Sequence, residues 1–240
     1  MTELLVREAA LVLEGVSAGY GESMVLRGLR LTVPAGSVVA LLGKNGMGKT
    51  TLLKAAMGFL PKREGRVAMA GVDITLFPAH RIARRAVSYT SQEQALFADL
   101  SIKDNLRLGV ARDALLDERL AAIYAIFPFI EGRLAQRAGT LSGGEQKMLL
   151  VARALVARPS LMLVDEITEG LQPSVVDKVG AALRHERDRN GTAMLLVEQN
   201  VGFALAVADR FAVLKRGEIV LEGDTHDPGA AEAIRAQLRV

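Results

Sequence analysis

The stretch "GKNGMGKTT", from Gly43 to Thr51, sets bare backbone beside a cation and two hydroxyls. Its spacing satisfies GxxxxGK[ST] through Gly43, Gly48, Lys49 and Thr50. Glycines let backbone amides converge on phosphate oxygens, and a helix starting near Gly48 adds its positive end. Lys49 can reach the outer phosphates, and the Thr50 hydroxyl can ligate Mg²⁺. Asn45, Gly46 and Thr51 fall in the same stretch and join the nucleotide-binding candidates. The plain alternative is a glycine-rich turn with a chance lysine. It is weakened by the setting, between the apolar run "SVVALLG" and the helical pattern "TTLLKAAMG". The ligand this chemistry predicts is a nucleoside triphosphate.

Such a site needs a carboxylate for magnesium, and "SLMLVDE" at 160 to 166 supplies one. Asp165 ends a buried strand and is the metal candidate. Glu166 follows it, placed to orient or deprotonate an attacking water. Two solvated charges at a strand end would be the ordinary reading of this pair. Beside a phosphate loop that reading becomes the weaker one.

A third stretch, "GTLSGGEQKMLLVARALVARP", poses a different problem. Met148, Leu149, Ala152, Leu155 and Val156 recur at helical spacing, yet the helix opens on Gly143 and Gly144. Each glycine costs about 1 kcal/mol relative to alanine inside a helix. Ser142 and Glu145 have the spacing of a capping box, which accounts for those two residues. It leaves the glycines unexplained. Bare backbone at the first helical positions would let an anion approach the free amides, and the expected compensation is a phosphate.

The elements that must position these groups follow from periodicity. "SVVALLG" (37 to 43), "SLMLVDE" and "TAMLLVEQ" (192 to 199) are continuously apolar, as expected of parallel strands covered by helices on both faces. "LRLTV" at 29 to 33 alternates, which predicts a small antiparallel sheet beside the parallel one. Residues 101 to 140 read as mostly helical, with a cap at Ser101, and the tail holds a terminal helix. The expected fold is α/β with a mainly parallel sheet, a small antiparallel β-subdomain and an α-helical insertion. Residues 1–240 form one domain in this reading, with the helical part inserted at about 93–158. The basic run "HRIARR" at 80 to 85 is expected to form one solvated helix face.

Composition narrows the function. The chain has 240 residues, half of them apolar, and no cysteine, which excludes disulfides and thiolate metal sites. A net charge of +3 and 4% aromatic residues give no support to nucleic-acid binding. No apolar run approaches the roughly 18 residues that span a bilayer, and the first residues show no signal-peptide pattern. A cytoplasmic protein is expected.

Taken together, the phosphate loop, "LMLVDE" and "LSGGE" (Leu141 to Glu145) resemble the ATP-binding cassette (ABC) family, over about Val12 to Gly223 and in the family's order. The resemblance implies a P-loop NTPase core that hydrolyses ATP with Mg²⁺ and pairs head-to-tail with a second cassette. Ser142, Gly143 and Gly144 would then contact ATP held by the partner's phosphate loop. Tyr20 matches the aromatic residue that stacks on adenine. Gln92 matches the glutamine that touches magnesium and the water, with Gln94 as its rival. Gln199, in "LLVEQN", stands where the family carries a switch histidine. Ile167 replaces a usual proline, Gln172 a frequent aspartate, and Met47 is bulkier than the usual small residue. A glutamine can donate a hydrogen bond to a γ-phosphate but cannot take up a proton at neutral pH.

"LLVEQN", "EGLQPS" and "AGTLSGGEQ" resemble the cassettes of importers for branched-chain amino acids and of related importers for urea and short amides. The resemblance implies transmembrane permease subunits, an indirect solute-binding protein and a place on the cytoplasmic face of the inner membrane. A lipid-exporting cassette is the serious rival. Translation-factor and DNA-repair relatives fit less well, because one phosphate loop is present and no long heptad run separates the motifs. A phosphotransferase would leave "LSGGE" without a purpose.

Overall fold

The computed structural model describes residues 9–91 and 96–239, without the side chains of Lys62 and Arg63. The chain opens with two long strands, β1 (Ala9–Tyr20) and β2 (Ser23–Pro34), then β3 (Val38–Leu42) and helix α1 (Lys49–Ala56). Next come β4 (Lys62–Met69), β5 (Val72–Asp73), α2 (Ala79–Ile82) and β6 (Val87–Thr90). A helical stretch follows, with α3 (Ile102–Arg107), α4 (Asp113–Ile126) and α5 (Gly143–Val156). The rest is β7 (Leu161–Asp165), α6 (Pro173–Asn190), β8 (Ala193–Glu198), α7 (Val201–Val207), β9 (Arg210–Lys215), β10 (Glu218–Asp224) and α8 (Ala230–Arg239).

The strands form two sheets. One has the order β10-β9-β3-β8-β7-β6, parallel except for β10. The other is antiparallel, in the order β2-β1-β4-β5. It is larger than "LRLTV" suggested, because β1 and β2 each run for 12 residues. Alternation is clean only over that segment, and the register shifts of β1 against β2 blur the period elsewhere.

Every residue of β3, β7 and β8 is buried, as their unbroken apolar character required. Alternation sorts each strand between two cores. Val38, Ala40 and Leu42 pack toward the helical layer with Met162, Val164, Met194 and Leu196. Val39 and Leu41 face the antiparallel sheet and α1, with Leu163, Leu195 and Leu52. The carboxyl ends of β3, β7 and β8 therefore come together between two rigid layers, where ligands collect in such sheets.

Ser101 caps α3 by accepting from the Asp104 amide at 3.0 Å, as its spacing predicted. Pro128 ends α4 and turns the chain into a short 3₁₀ segment that buries Phe127 and Ile130. The "HRIARR" expectation holds for solvation and fails for the helix: His80, Arg81 and Arg84 are exposed, but α2 is only four residues long and ends at the buried Ile82, and Arg81 stacks 4.3 Å over the Phe77 ring. Among the described residues no helix is long and apolar enough to cross a membrane.

Candidate active site

Two contacts explain the glycines of the phosphate loop. A Cβ on Gly43 would lie 2.8 Å from the Leu214 carbonyl oxygen, and one on Gly48 would lie 3.1 Å from both Val25 and Leu26. Gly48 also has φ +104°, a backbone that side chains rarely tolerate, and it precedes the first turn of α1. The loop is thus wedged between the β1–β2 hairpin and β9. The same hairpin carries Tyr20, a residue 46% exposed at the end of β1.

Lys49 points back into the loop. Its Nζ donates to the carbonyls of Gly43 at 2.8 Å and Lys44 at 3.0 Å and pairs with Glu166 Oε1 at 2.9 Å. Both side chains of that pair are nearly inaccessible. Glu166 reaches it because its own backbone is left-handed, at φ +46°. Its amide also bonds the Val197 carbonyl at 2.9 Å, which fixes the turn to the end of β8. A non-glycine residue in that region costs about 1 kcal/mol or more, and such strain persists where surrounding structure holds it.

Gln199 completes the group. Its side-chain amide donates to Asn45 Oδ1 at 2.7 Å and to Glu166 Oε2 at 3.0 Å, using both N–H bonds. The residue in the histidine position therefore links the phosphate loop to the carboxylate beyond β7.

Asp165 is fully buried, and neither carboxylate oxygen accepts a hydrogen bond of good geometry. Burial pushes its carboxyl up to about 6; the Thr50 hydroxyl and Lys49 pull downward and the Glu166 charge adds to the rise. A buried carboxylate without a well-formed donor suits a cation ligand. Hard oxygen donors at Asp165 and Thr50 suit Mg²⁺, which takes few protein ligands and completes its shell with phosphate and water.

Sequence reasoning missed Glu198, the last residue of β8. It is buried, accepts from the Thr168 amide at 3.2 Å and its hydroxyl at 2.8 Å, and is pushed upward in pKa by burial. Those bonds anchor the turn that follows Glu166. An acidic residue closing an apolar strand was the available signal. Gln92 and Gln94 lie outside the described residues.

The "LSGGE" helix start has the capping box. Ser142 Oγ accepts from the Glu145 amide at 3.3 Å, and Glu145 Oε2 accepts from the Ser142 amide at 3.0 Å. Arg133 holds the other glutamate oxygen at 2.6 Å. The two glycines differ: a Cβ on Gly144 would lie 3.1 Å from Val175 of α6, whereas Gly143 has open space. Packing therefore accounts for Gly144 in part and for Gly143 not at all. Among the described residues, no hydrogen bond joins Ser142, Gly143 or Gly144 to Lys49, Asp165 or Glu166.

Lysine and loop amides can hold a triphosphate, Asp165 and Thr50 a magnesium ion, and Glu166 can receive a proton from water. Comparison with known proteins agrees. Residues 26–169 match the family model described as "ABC transporter". The chain is 35% identical to a high-affinity branched-chain amino acid transport ATP-binding protein of Pseudomonas aeruginosa, over 93% of this chain and 95% of that one. It is 33% identical to the lipopolysaccharide export ATP-binding protein of Escherichia coli, covering 90% of each. A solved ATP-binding subunit of an ABC transporter superposes with TM-score 0.81 at 25% identity, covering 94% of both chains. The chain belongs to the ABC transporter family, as an ATP-binding subunit that couples ATP hydrolysis to transport.

Proposed function

We propose that this subunit drives uptake of branched-chain or other hydrophobic amino acids from the cytoplasmic face of the cell membrane, as a single nucleotide-binding domain spanning residues 1–240. The observation that carries the solute class is the near full-length likeness to the Pseudomonas importer subunit. Urea or short-amide import remains the variant suggested by "EGLQPS", and lipid export the one suggested by the likeness to the lipopolysaccharide subunit.

In this reading Lys49, Asn45, Gly43, Gly46, Gly48, Thr50 and Thr51 bind ATP, and the exposed Tyr20 ring stacks on its base. Asp165 and Thr50 hold Mg²⁺, which supplies neutralising charge beside the outer phosphates. Glu166 accepts the proton of the attacking water, and Gln199 orients Glu166 without exchanging a proton. Gln92 would add a contact to the metal and the water. A second cassette approaches so that Ser142, Gly143 and Gly144 face the nucleotide of its partner, for which the open space at Gly143 leaves room.

The membrane subunits would dock on a groove of about 570 Å³ lined by Tyr89, Phe97, Leu108, Leu150 and Arg153. Phe97 and Leu108 are more than half exposed. Arg153 is half-buried, its side chain forms no hydrogen bond or ion pair with a described residue, and its pKa is lowered by burial. Such an arginine suits an acidic residue on an apolar helix of the permease. The experiment is co-purification with the candidate membrane subunits, then ATP-driven uptake of leucine into proteoliposomes. Uptake of leucine supports the amino-acid reading; uptake of urea alone, or lipid extraction alone, replaces it.

A further inference from the structure

The chain has no cysteine and eight methionines. Met57, Met69, Met148, Met162 and Met194 are buried, leaving Met24 and Met47 as the described methionines with partly accessible side chains. Met47 lies inside the phosphate loop. Its Sδ accepts a hydrogen bond from the Arg216 amide at 3.3 Å, and its carbonyl accepts from the Gly217 amide at 3.1 Å. The β9–β10 turn on the other side is held firmly. The Gly217 carbonyl accepts from the Arg27 amide at 3.1 Å, and a Cβ on Gly217 would lie 1.9 Å from the Val25 carbonyl oxygen. Arg216 and Gly217 both have left-handed backbones, at φ +51° and +84°.

We infer that Met47 is an oxidation site through which peroxide-class oxidants weaken ATP binding. The inference rests on this loop being the ATP site. In the reaction the thioether sulfur attacks a peroxide oxygen, the O–O bond breaks, and an S–O bond forms. Sulfur loses two electrons, the proton on the transferred oxygen passes to the departing hydroxide, and hydrogen peroxide is reduced to water. The product bears a polar oxygen that accepts more strongly than the thioether sulfur, so the Arg216 amide pairs with that oxygen instead and the added atom pushes the loop and the turn apart. The turn is pinned by Arg27 and Val25, so the displacement falls on the phosphate loop. There Gly43 and Gly48 are already in close contact with β9 and the hairpin.

The test uses the full chain treated with graded hydrogen peroxide, with peptide mass spectrometry and ATP titration on the same samples. Oxidation of Met47 at doses that oxidise Met24 is expected, with ATP affinity falling about fivefold or more as Met47 converts, the scale of one hydrogen bond to phosphate lost from the displaced loop. Methionine sulfoxide reductases should restore it. Each variant is compared with itself before and after treatment: Met47→Leu should lose the peroxide sensitivity and Met24→Leu should keep it. Met47 resisting doses that oxidise Met24 overturns the inference. So does full conversion with unchanged affinity, or a Met47→Leu chain that remains sensitive. An untreated chain that fails to bind ATP would instead count against the site itself.

Discussion

The ammonium of Lys49 and the carboxylate of Glu166 meet at 2.9 Å in a pocket that excludes nearly all solvent. The lysine proposed to hold the outer phosphates is thus already held by the residue proposed to activate water. Two anions compete for one cation. Glu166→Gln removes one competitor, so ATP should bind at least as tightly as in the parent chain while turnover falls by about 100-fold or more, in line with loss of a general base. Equilibrium ATP titration and steady-state phosphate release check both halves.

Lys49→Ala has the opposite character. It strips the phosphate site of its cation and leaves the buried Glu166 carboxylate without that partner, a loss of about 3–5 kcal/mol for an isolated buried pair. ATP binding should disappear, and the thermal midpoint should drop unless Glu166→Gln accompanies it. The double variant recovering the midpoint, but not ATP binding, would separate the two effects.

Asp165 makes stability depend on pH with a definite sign. Its carboxyl is pushed up to about 6, above the ordinary range near 3.9. The folded chain keeps a proton that the unfolded chain releases, so this group lowers stability as pH rises from about 4 to about 6, and the loss persists above that window. Asp165→Asn should therefore raise the thermal midpoint at neutral pH without Mg²⁺ or nucleotide, by about 2–4 °C for each of roughly 1–3 kcal/mol. It should abolish hydrolysis. Thermal melts across this pH range test the sign.

Gln199 cannot titrate, so the pH profile of hydrolysis should show no limb due to that position. Gln199→Ala removes the bonds to Asn45 and Glu166 and should lower kcat more than ATP affinity. Gln199→His should restore part of the rate and add an acidic limb near an imidazole pKa of about 6.5. A pH profile identical to that of the parent chain would remove Gln199 from contact with the reacting group.

The two glycines of "LSGGE" should respond differently. Gly143→Ala meets open space and should raise the monomer's stability by up to about 1 kcal/mol. Gly144→Ala meets Val175 and should gain less or lose. Gly143→Asp should block ATP-dependent dimerisation while the monomer stays folded. Sedimentation with the hydrolysis-slow Glu166→Gln background reads the dimer directly.

Much of the molecule was legible in the linear chain because its signals are local. The phosphate loop, the Ser142–Glu145 cap and the apolar runs of β3, β7 and β8 depend on residues a few positions apart. The extent of the antiparallel sheet was not legible, since β1 lacks clean alternation and its partners are set by register. The "HRIARR" run misled for a related reason: its charges resemble a helix face, but Ile82 is needed in the core and the helix stops there.

By itself the sequence determined which groups are present, and the elements that carry them, because spacing and hydrophobic period are properties of neighbours. It could not determine that Glu166 turns through a left-handed backbone onto Lys49, that Gln199 bridges to Asn45, or that Glu198 anchors Thr168. Those contacts join residues about 30 to more than 150 positions apart. They exist because parallel strands bring their carboxyl ends to one edge, where cores packed on both faces hold the loops together.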